Sequence, residues 1–458
     1  MPSMLRSRVL ACVSSLLLSA CSIDLSGSLG LSGGGAAGGN RTASLVVGDE
    51  PFAVRTGASI LSQGGSAVDA VTAAYFTLSV TYPVAAGLGG GGICIVHDAA
   101  SGRNEEFDFL ARDSSGGGAY AVPGNVRGFA LMQSMYGTLP WQRDVSPGEG
   151  YAATGFPISR ALAARLAAAQ DVIRLDAGLA AEFMDESGKP KPEGTVVANP
   201  ELATTLAGLR VGGPNGFYKG QVGARIIAYS QAQGGGIGAA ELTGYSAMNG
   251  TPQAMQMGNA YVYLPSQRIG AGAFAGSLFD NINRAQATNV GAADLQATVV
   301  YAVKEALSRF AVTNLPADLG ATGFAAIDAR GQAAACAVTM NGPFGSGHNV
   351  TATGITLARA PSSSQAGVAS AFLTPVIATE GGTGNVSLVG AGAGGPNGTA
   401  ALGYTLARLS AGERVSSPGD IRATGVPFDT VNAITCQSGG CVALPDPAAH
   451  GLGASGDR

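Results

Sequence analysis

Thr322 carries the one hydroxyl in the stretch Gly320-Ala321-Thr322-Gly323-Phe324-Ala325-Ala326-Ile327-Asp328. A hydroxyl becomes a nucleophile when a neighbouring base accepts its proton. Thr339 and Asn341 supply another hydroxyl and an amide at the end of a second apolar run, Ala333 to Thr339. Other chemistry is sparse. His97, His348 and His450 are widely scattered and none lies near Cys436 or Cys441, so no metal site is expected. Two glycine triplets have the spacing of a dinucleotide-binding loop, which must leave a strand and open a helix. Gly87, Gly89 and Gly92 precede a strand-like run and fail that condition. Gly390, Gly392 and Gly395 follow the run Val386 to Val389 and precede a helical stretch from about Gly398 to Leu409. They give a nucleotide-binding alternative its best support, but no acidic residue ends a second strand about twenty residues on, as ribose binding requires. Glu413 falls in a loop.

The elements that must position Thr322 follow from local pattern. Ala325 to Ile327 and Ala333 to Thr339 are rich in small and β-branched residues, and Asp328-Ala329-Arg330-Gly331 between them is turn-forming, so a buried hairpin is expected. Pro51 to Thr77 reads as helical, and Ile93 to Asp98 as a buried strand. At 458 residues a large core is assured. Charged residues make up only 12% and glycines number 71, which predicts Ala-rich helices and a loop-rich, small-residue surface rather than one laced with ion pairs. A net charge of −4 without a dense Lys/Arg cluster leaves no footprint for nucleic acid.

Several stretches resemble, in the same order, the landmarks of the γ-glutamyltranspeptidase family. Gly64-Gly65-Ser66-Ala67-Val68-Asp69-Ala70-Val71 is similar to its GGNAVDAA signature, and Tyr82 to Gly92 to its EPHSSGIGGGG segment. Val122-Pro123-Gly124-Asn125-Val126-Arg127-Gly128, Tyr136 to Trp141, Asn199 to Leu206, Gly216 to Gly220 and Leu242 to Tyr245 continue the series. The Gly320 to Asp328 stretch resembles the start of the family's small subunit, and the match runs without a gap through Gly331, Thr339, Asn341 and Phe344-Gly345. The resemblance covers about Ser44 to Leu409.

It implies an α+β fold, the four-layer αββα sandwich of N-terminal-nucleophile hydrolases. Self-cleavage would free a Thr whose own α-amine serves as base, dividing the chain into a large-subunit-like region, 44–320, and a small-subunit-like region, 321–458, held as one intertwined unit. The aligned nucleophile position is Ala321, so the role falls to Thr322, which demands a one-residue slip that a bulge near the cut would absorb. Gly394 and Gly395 align with the turn that offers N–H groups to the oxyanion. Thr339 and Asn341 fall on the family's hydroxyl and amide positions, and Arg112 matches its carboxylate-binding Arg if two residues are inserted. The acidic run expected after Leu357 is replaced by Ala358-Arg359-Ala360-Pro361-Ser362, which removes the counter-charge for a substrate ammonium and disfavours glutathione as substrate. The resemblance implies no cofactor and an amide or γ-glutamyl substrate. The alternative is a catalytically inactive relative that binds or scaffolds at the cell envelope.

At the N-terminus, Arg6 and Arg8 precede an apolar run from Val9 to Leu18, too short to span a bilayer and shaped like a secretory signal of residues 1–20. Leu18-Ser19-Ala20-Cys21 looks like a bacterial lipobox, with Cys21 lipidated and Leu25 to Asn40 a flexible tether within 21–43. The motif, with Ser22 after it, predicts a periplasm-facing lipoprotein anchored to the outer membrane; the alternative is a plain signal peptide with an incidental Cys. Cys94 and Cys336, inside apolar runs, read as buried small hydrophobes, whereas Cys436 and Cys441 flank Gln-Ser-Gly-Gly and suit a small disulfide loop.

Overall fold

The hairpin read from the sequence lies at the centre of the fold. The computed structural model describes residues 43–287, 292–310, 314–363, 365–417, 428–438 and 440–457. The signal segment, Cys21 and the tether as far as residue 42 lie outside the described residues. In chain order the strands of the two large sheets are β1 (Leu45–Gly48), β2 (Gly91–Asp98), β3 (Arg103–Phe109), β4 (Met248–Gly250), β5 (Gln253–Met257) and β6 (Ala260–Leu264). They continue with β7 (Ala321–Ile327), β8 (Ala333–Thr339), β9 (Thr374–Glu380), β10 (Val386–Ala393), β11 (Thr430–Gln437), β12 (Gly440–Leu444) and β13 (Leu452–Ser455). The first sheet runs β13-β1-β7-β8-β2-β3-β4 and the second β12-β11-β10-β9-β6-β5. Each sheet takes strands from both 44–320 and 321–458, so the two regions are interwoven rather than side by side.

Side chains on β7 alternate between two environments, as a pleated strand requires. Phe324 and Ala326 join the core under helices α1 (Pro51–Ser62) and α2 (Ala67–Thr81), while Ala321, Ala325 and Ile327 pack between the sheets. Glu50 caps α1 by accepting from Ala53 N, and Ser66 with Asp69 forms a capping box on α2, so the glycines at 64 and 65 separate two well-started helices. The helices α3 (Asn125–Tyr136), α4 (Trp141–Thr154) and α5 (Arg160–Ala168) pack into the same core, as do further helices between residues 177 and 244. On the far side α6 (Gly270–Gln286), α7 (Ala292–Arg309) and α8 (Pro396–Ser410) cover the second sheet. The result is helices, sheet, sheet, helices. The sheets approach closely at Gly323, where a Cβ would lie 2.9 Å from the Cβ of Ala391 on β10.

Two expectations change here. Cys94 and Cys336 are buried as expected but are joined to each other, because the β2–β8 register sets them directly opposite. Cys436 and Cys441 are bonded across the β11–β12 hairpin. The nucleotide alternative fails on topology: β10 has antiparallel neighbours on both sides, so no parallel crossover unit exists there. Gly392 instead lets α8 lie on the strand, with its Cα against the Gly398 backbone.

Candidate functional site

Asp49 follows β1 and stands beside β7. Its Oδ2 accepts the Thr322 hydroxyl at 2.6 Å, and its Oδ1 accepts Asn432 Nδ2 at 2.7 Å; that amide also donates to the Gly323 carbonyl at 3.0 Å. All three side chains are buried. Burial pushes the Asp49 carboxyl up to about 6, against the lowering effect of the Thr322 and Asn432 hydrogen bonds. Such a group is mostly ionised at neutral pH and is matched to accepting a proton there. In the sequence, Asp49-Glu50-Pro51 reads only as a helix start, and no local signal separates Asp49 from Glu50, which does the capping.

Arg165, on α5, is 1% exposed. Its Nε donates to Asp318 Oδ2 at 3.1 Å and its Nη2 to Asp318 Oδ1, while Nη1 donates to the Ala321 carbonyl at 3.0 Å. The rings of Tyr82 and Phe428 lie 5.4 and 5.2 Å from its guanidinium carbon. Burial works against the charge, but Asp318 more than offsets it and raises the guanidinium above its ordinary value. One peptide group, between Ala321 and Thr322, is therefore addressed from two sides. Its carbonyl oxygen meets a cation, and the hydroxyl that follows meets a carboxylate.

Ala321 is the residue that shares the inter-sheet side with Thr339, its partner across the hairpin. Its methyl packs in a cluster with Ile93, Ile269 and Leu373. The β7–β8 register is continuous from Ala321 to Ile327, so the bulge invoked to turn Thr322 to that side is absent, and Thr322 by alternation belongs with Phe324 on the other face. The Thr339 hydroxyl is shared between the carbonyls of Leu319 and Gly320, at 3.2 and 3.1 Å, and accepts Asn341 N at 2.9 Å. Asn341 holds φ 54° and donates Nδ2 to the Arg359 carbonyl at 2.9 Å, while its Oδ1 is buried with no donor.

Arg112 lies in a two-residue strand paired with Ala121–Val122, at the end of the first sheet where Gly91 faces Thr339. Its guanidinium carbon sits 5.1 Å from the centre of the Tyr245 ring, and its Nη2 is buried without an acceptor. Gly394, at φ 85°, and Gly395 join β10 to α8. The Asp429 carboxylate lies against Gly395, where a Cβ would come within 2.1 Å of Oδ1, and accepts Asn397 N and Nδ2 at 3.1 and 2.7 Å. The Asp429 carboxylate thus borders the turn to which the resemblance assigns the oxyanion.

The gamma-glutamyltranspeptidase family model matches residues 53–308, more than half of the 458. Glutathione hydrolase 2 of Arabidopsis thaliana is 34% identical over 206 residues, which cover 42% of this chain and 35% of that protein. The glutathione hydrolase proenzyme of Escherichia coli K12 is 32% identical over 230 residues, 45% of this chain and 39% of the relative. The chain thus spans well under two thirds of the curated relatives' length. The cephalosporin acylase of Bacillus halodurans superposes with a TM-score of 0.71 over 94% of this chain and 99% of its own, at 17% identity, and so shares the fold. The Helicobacter pylori γ-glutamyltranspeptidase does so with a TM-score of 0.53 at 25% identity, over 57% and 81% of the two chains. Because the matched stretch supplies the layer and strands against which β7 is set, the αββα architecture and the family match describe one molecule: the chain belongs to the γ-glutamyltranspeptidase family.

Proposed function

We propose that this chain is an amide- or γ-glutamyl-bond hydrolase or acyltransferase that cuts itself between Ala321 and Thr322 and then uses Thr322 as nucleophile. The observation that carries this reading is the 2.6 Å hydrogen bond from the Thr322 hydroxyl to Asp49, a buried carboxyl held near 6. A nucleophile and a base are already in contact before any cut. After scission the Thr322 α-amine becomes a second base, and departure of Ala321 from its place beside Thr339 opens space on the inter-sheet side. Burial of Thr322 in the uncut chain suits a precursor, whose preceding residues cover the site until they are released. Arg112, with an unsatisfied N–H, suits a carboxylate on the acyl group, and Asn341 Oδ1 suits a donor. Water or an amine takes the acyl group. The reading includes export and anchoring through Cys21, supported by two disulfides of the kind that persist in oxidising compartments.

Purified chain on a reducing denaturing gel should give two fragments, the second beginning at Thr322 by N-terminal sequencing, and should hydrolyse a chromogenic γ-glutamyl anilide. Thr322→Ala should remain whole and inactive. A single uncut band with no turnover, unchanged by that substitution, overturns the proposal.

A non-catalytic envelope-binding relative is the second reading. The methyl of Ala321 in an apolar cluster at the aligned nucleophile position, and Asp429 against Gly395, favour it. A hydroxyl-directed covalent inhibitor separates the two: it labels Thr322 in the enzyme and nothing in the scaffold.

A further inference from the structure

We infer that Arg165 is a catalytic residue of the scission step itself, holding the oxyanion that forms on the Ala321 carbonyl, with Asp318 as its positioning residue. The inference rests on the self-cleavage reading above. A fully buried guanidinium is costly unless its donors are used, and here two go to one carboxylate and one to a single backbone oxygen, with the Tyr82 phenol as a further partner. That oxygen belongs to the peptide group that Thr322 would attack. The Gly394-Gly395 turn has a carboxylate against Gly395, whereas Arg165 brings positive charge to 3.0 Å from the oxygen that must become negative.

The step balances. Thr322 Oγ1 attacks the Ala321 carbonyl carbon and its proton passes to Asp49 Oδ2, where the hydroxyl already donates. The carbonyl oxygen takes the charge against Arg165 Nη1. Collapse of this intermediate breaks the carbon–nitrogen bond, the proton held by Asp49 goes to the departing Thr322 nitrogen, and an ester joins Ala321 to Thr322 Oγ1. Water then adds to the ester, frees the hydroxyl and leaves Ala321 as a carboxylic acid. One water is consumed and nothing is oxidised or reduced. Asp318 fixes the plane of the guanidinium through two N–H groups and thereby aims the third nitrogen at the carbonyl.

The full chain is compared with Arg165→Gln, Arg165→Lys and Asp318→Asn, each checked for a cooperative melt, and fragment appearance is timed on reducing gels. Removing one oxyanion donor elsewhere costs about 10²–10³ in rate, and a loss of that order is expected for folded Arg165→Gln, with partial recovery in Arg165→Lys. Asp318→Asn keeps the guanidinium charge on the carbonyl and should lose far less scission than Arg165→Gln, even where it melts earlier. A purely structural ion pair predicts the opposite, with scission falling in step with melting temperature for both partners. That result, or wild-type scission by Arg165→Gln, overturns the inference and leaves the self-cleavage reading standing. Absence of any wild-type cut defeats that reading first. If Arg165→Gln does not fold, the contrast between Arg165→Lys and Asp318→Asn decides the matter by the same criterion.

Discussion

Ala321 and Thr322 are neighbours in sequence but face opposite sides of one sheet, and the chemistry available at each differs accordingly. Ala321 offers a methyl between the sheets and a carbonyl bound to Arg165; Thr322 offers a hydroxyl bound to Asp49. Asp49 must be ionised to take the hydroxyl proton. With its carboxyl raised to about 6, scission should therefore be slow below that pH, climb through it and level off above. Asp49→Asn should slow the cut by about 10²–10⁴ and abolish that rise, as timed by fragment appearance across a pH series. An unchanged profile would remove Asp49 from the mechanism.

At the scale of elements, the β7–β8 hairpin needed only local information: short apolar runs, a turn cluster, and a length that fits a strand. The same holds for β10 leading into α8, whereas Pro51 to Thr77, read as one helical stretch, is divided at Gly64-Gly65 into α1 and α2. Gly323 tests how tightly these elements are set. A Cβ there would meet Ala391 at 2.9 Å with β10 unable to retreat from the core, so Gly323→Ala should lower stability by about 1–3 kcal/mol in a urea melt. What the sequence did not disclose is long-range. Asp49 reaches Thr322 across 273 residues and Arg165 reaches Ala321 across 156, and no local pattern marks either as more than a cap neighbour or a helix charge. Cys94 and Cys336 read as hydrophobes because each sits in an apolar strand; their pairing follows only from the register of β2 on β8. No residue near Thr322 marks a bulge; only the resemblance calls for one, and the β7–β8 pairing is continuous there.

Over the whole molecule, burial of acids sets how stability responds to pH. Asp144 is fully buried with neither carboxyl oxygen partnered by a donor, and burial, then the charge of Asp69, pushes it up to about 9. Burial likewise raises Glu50 to about 7. Folded-state values above the unfolded ones mean that the native chain holds extra protons from roughly pH 4 upward, so stability is greatest at the acid end of that window. It is lost as pH rises toward each folded value, at up to about 1.4 kcal/mol per pH unit for each proton. Asp144→Asn should flatten the part of this decline that extends toward pH 9, seen as a smaller drop in melting midpoint between neutral and alkaline buffer. An unaltered slope would show that Asp144 ionises freely in the native protein.

The Cys94–Cys336 bond bears on the proposed scission, because its two sulfurs belong to residues on opposite sides of the Ala321–Thr322 junction. If that junction is cut as proposed, the halves would not come free: the product would remain one covalent body, heavier than its precursor by a water and indistinguishable from it in size until a thiol reductant is added. Dilution and subunit exchange are closed to such a molecule, and only reduction can separate its parts.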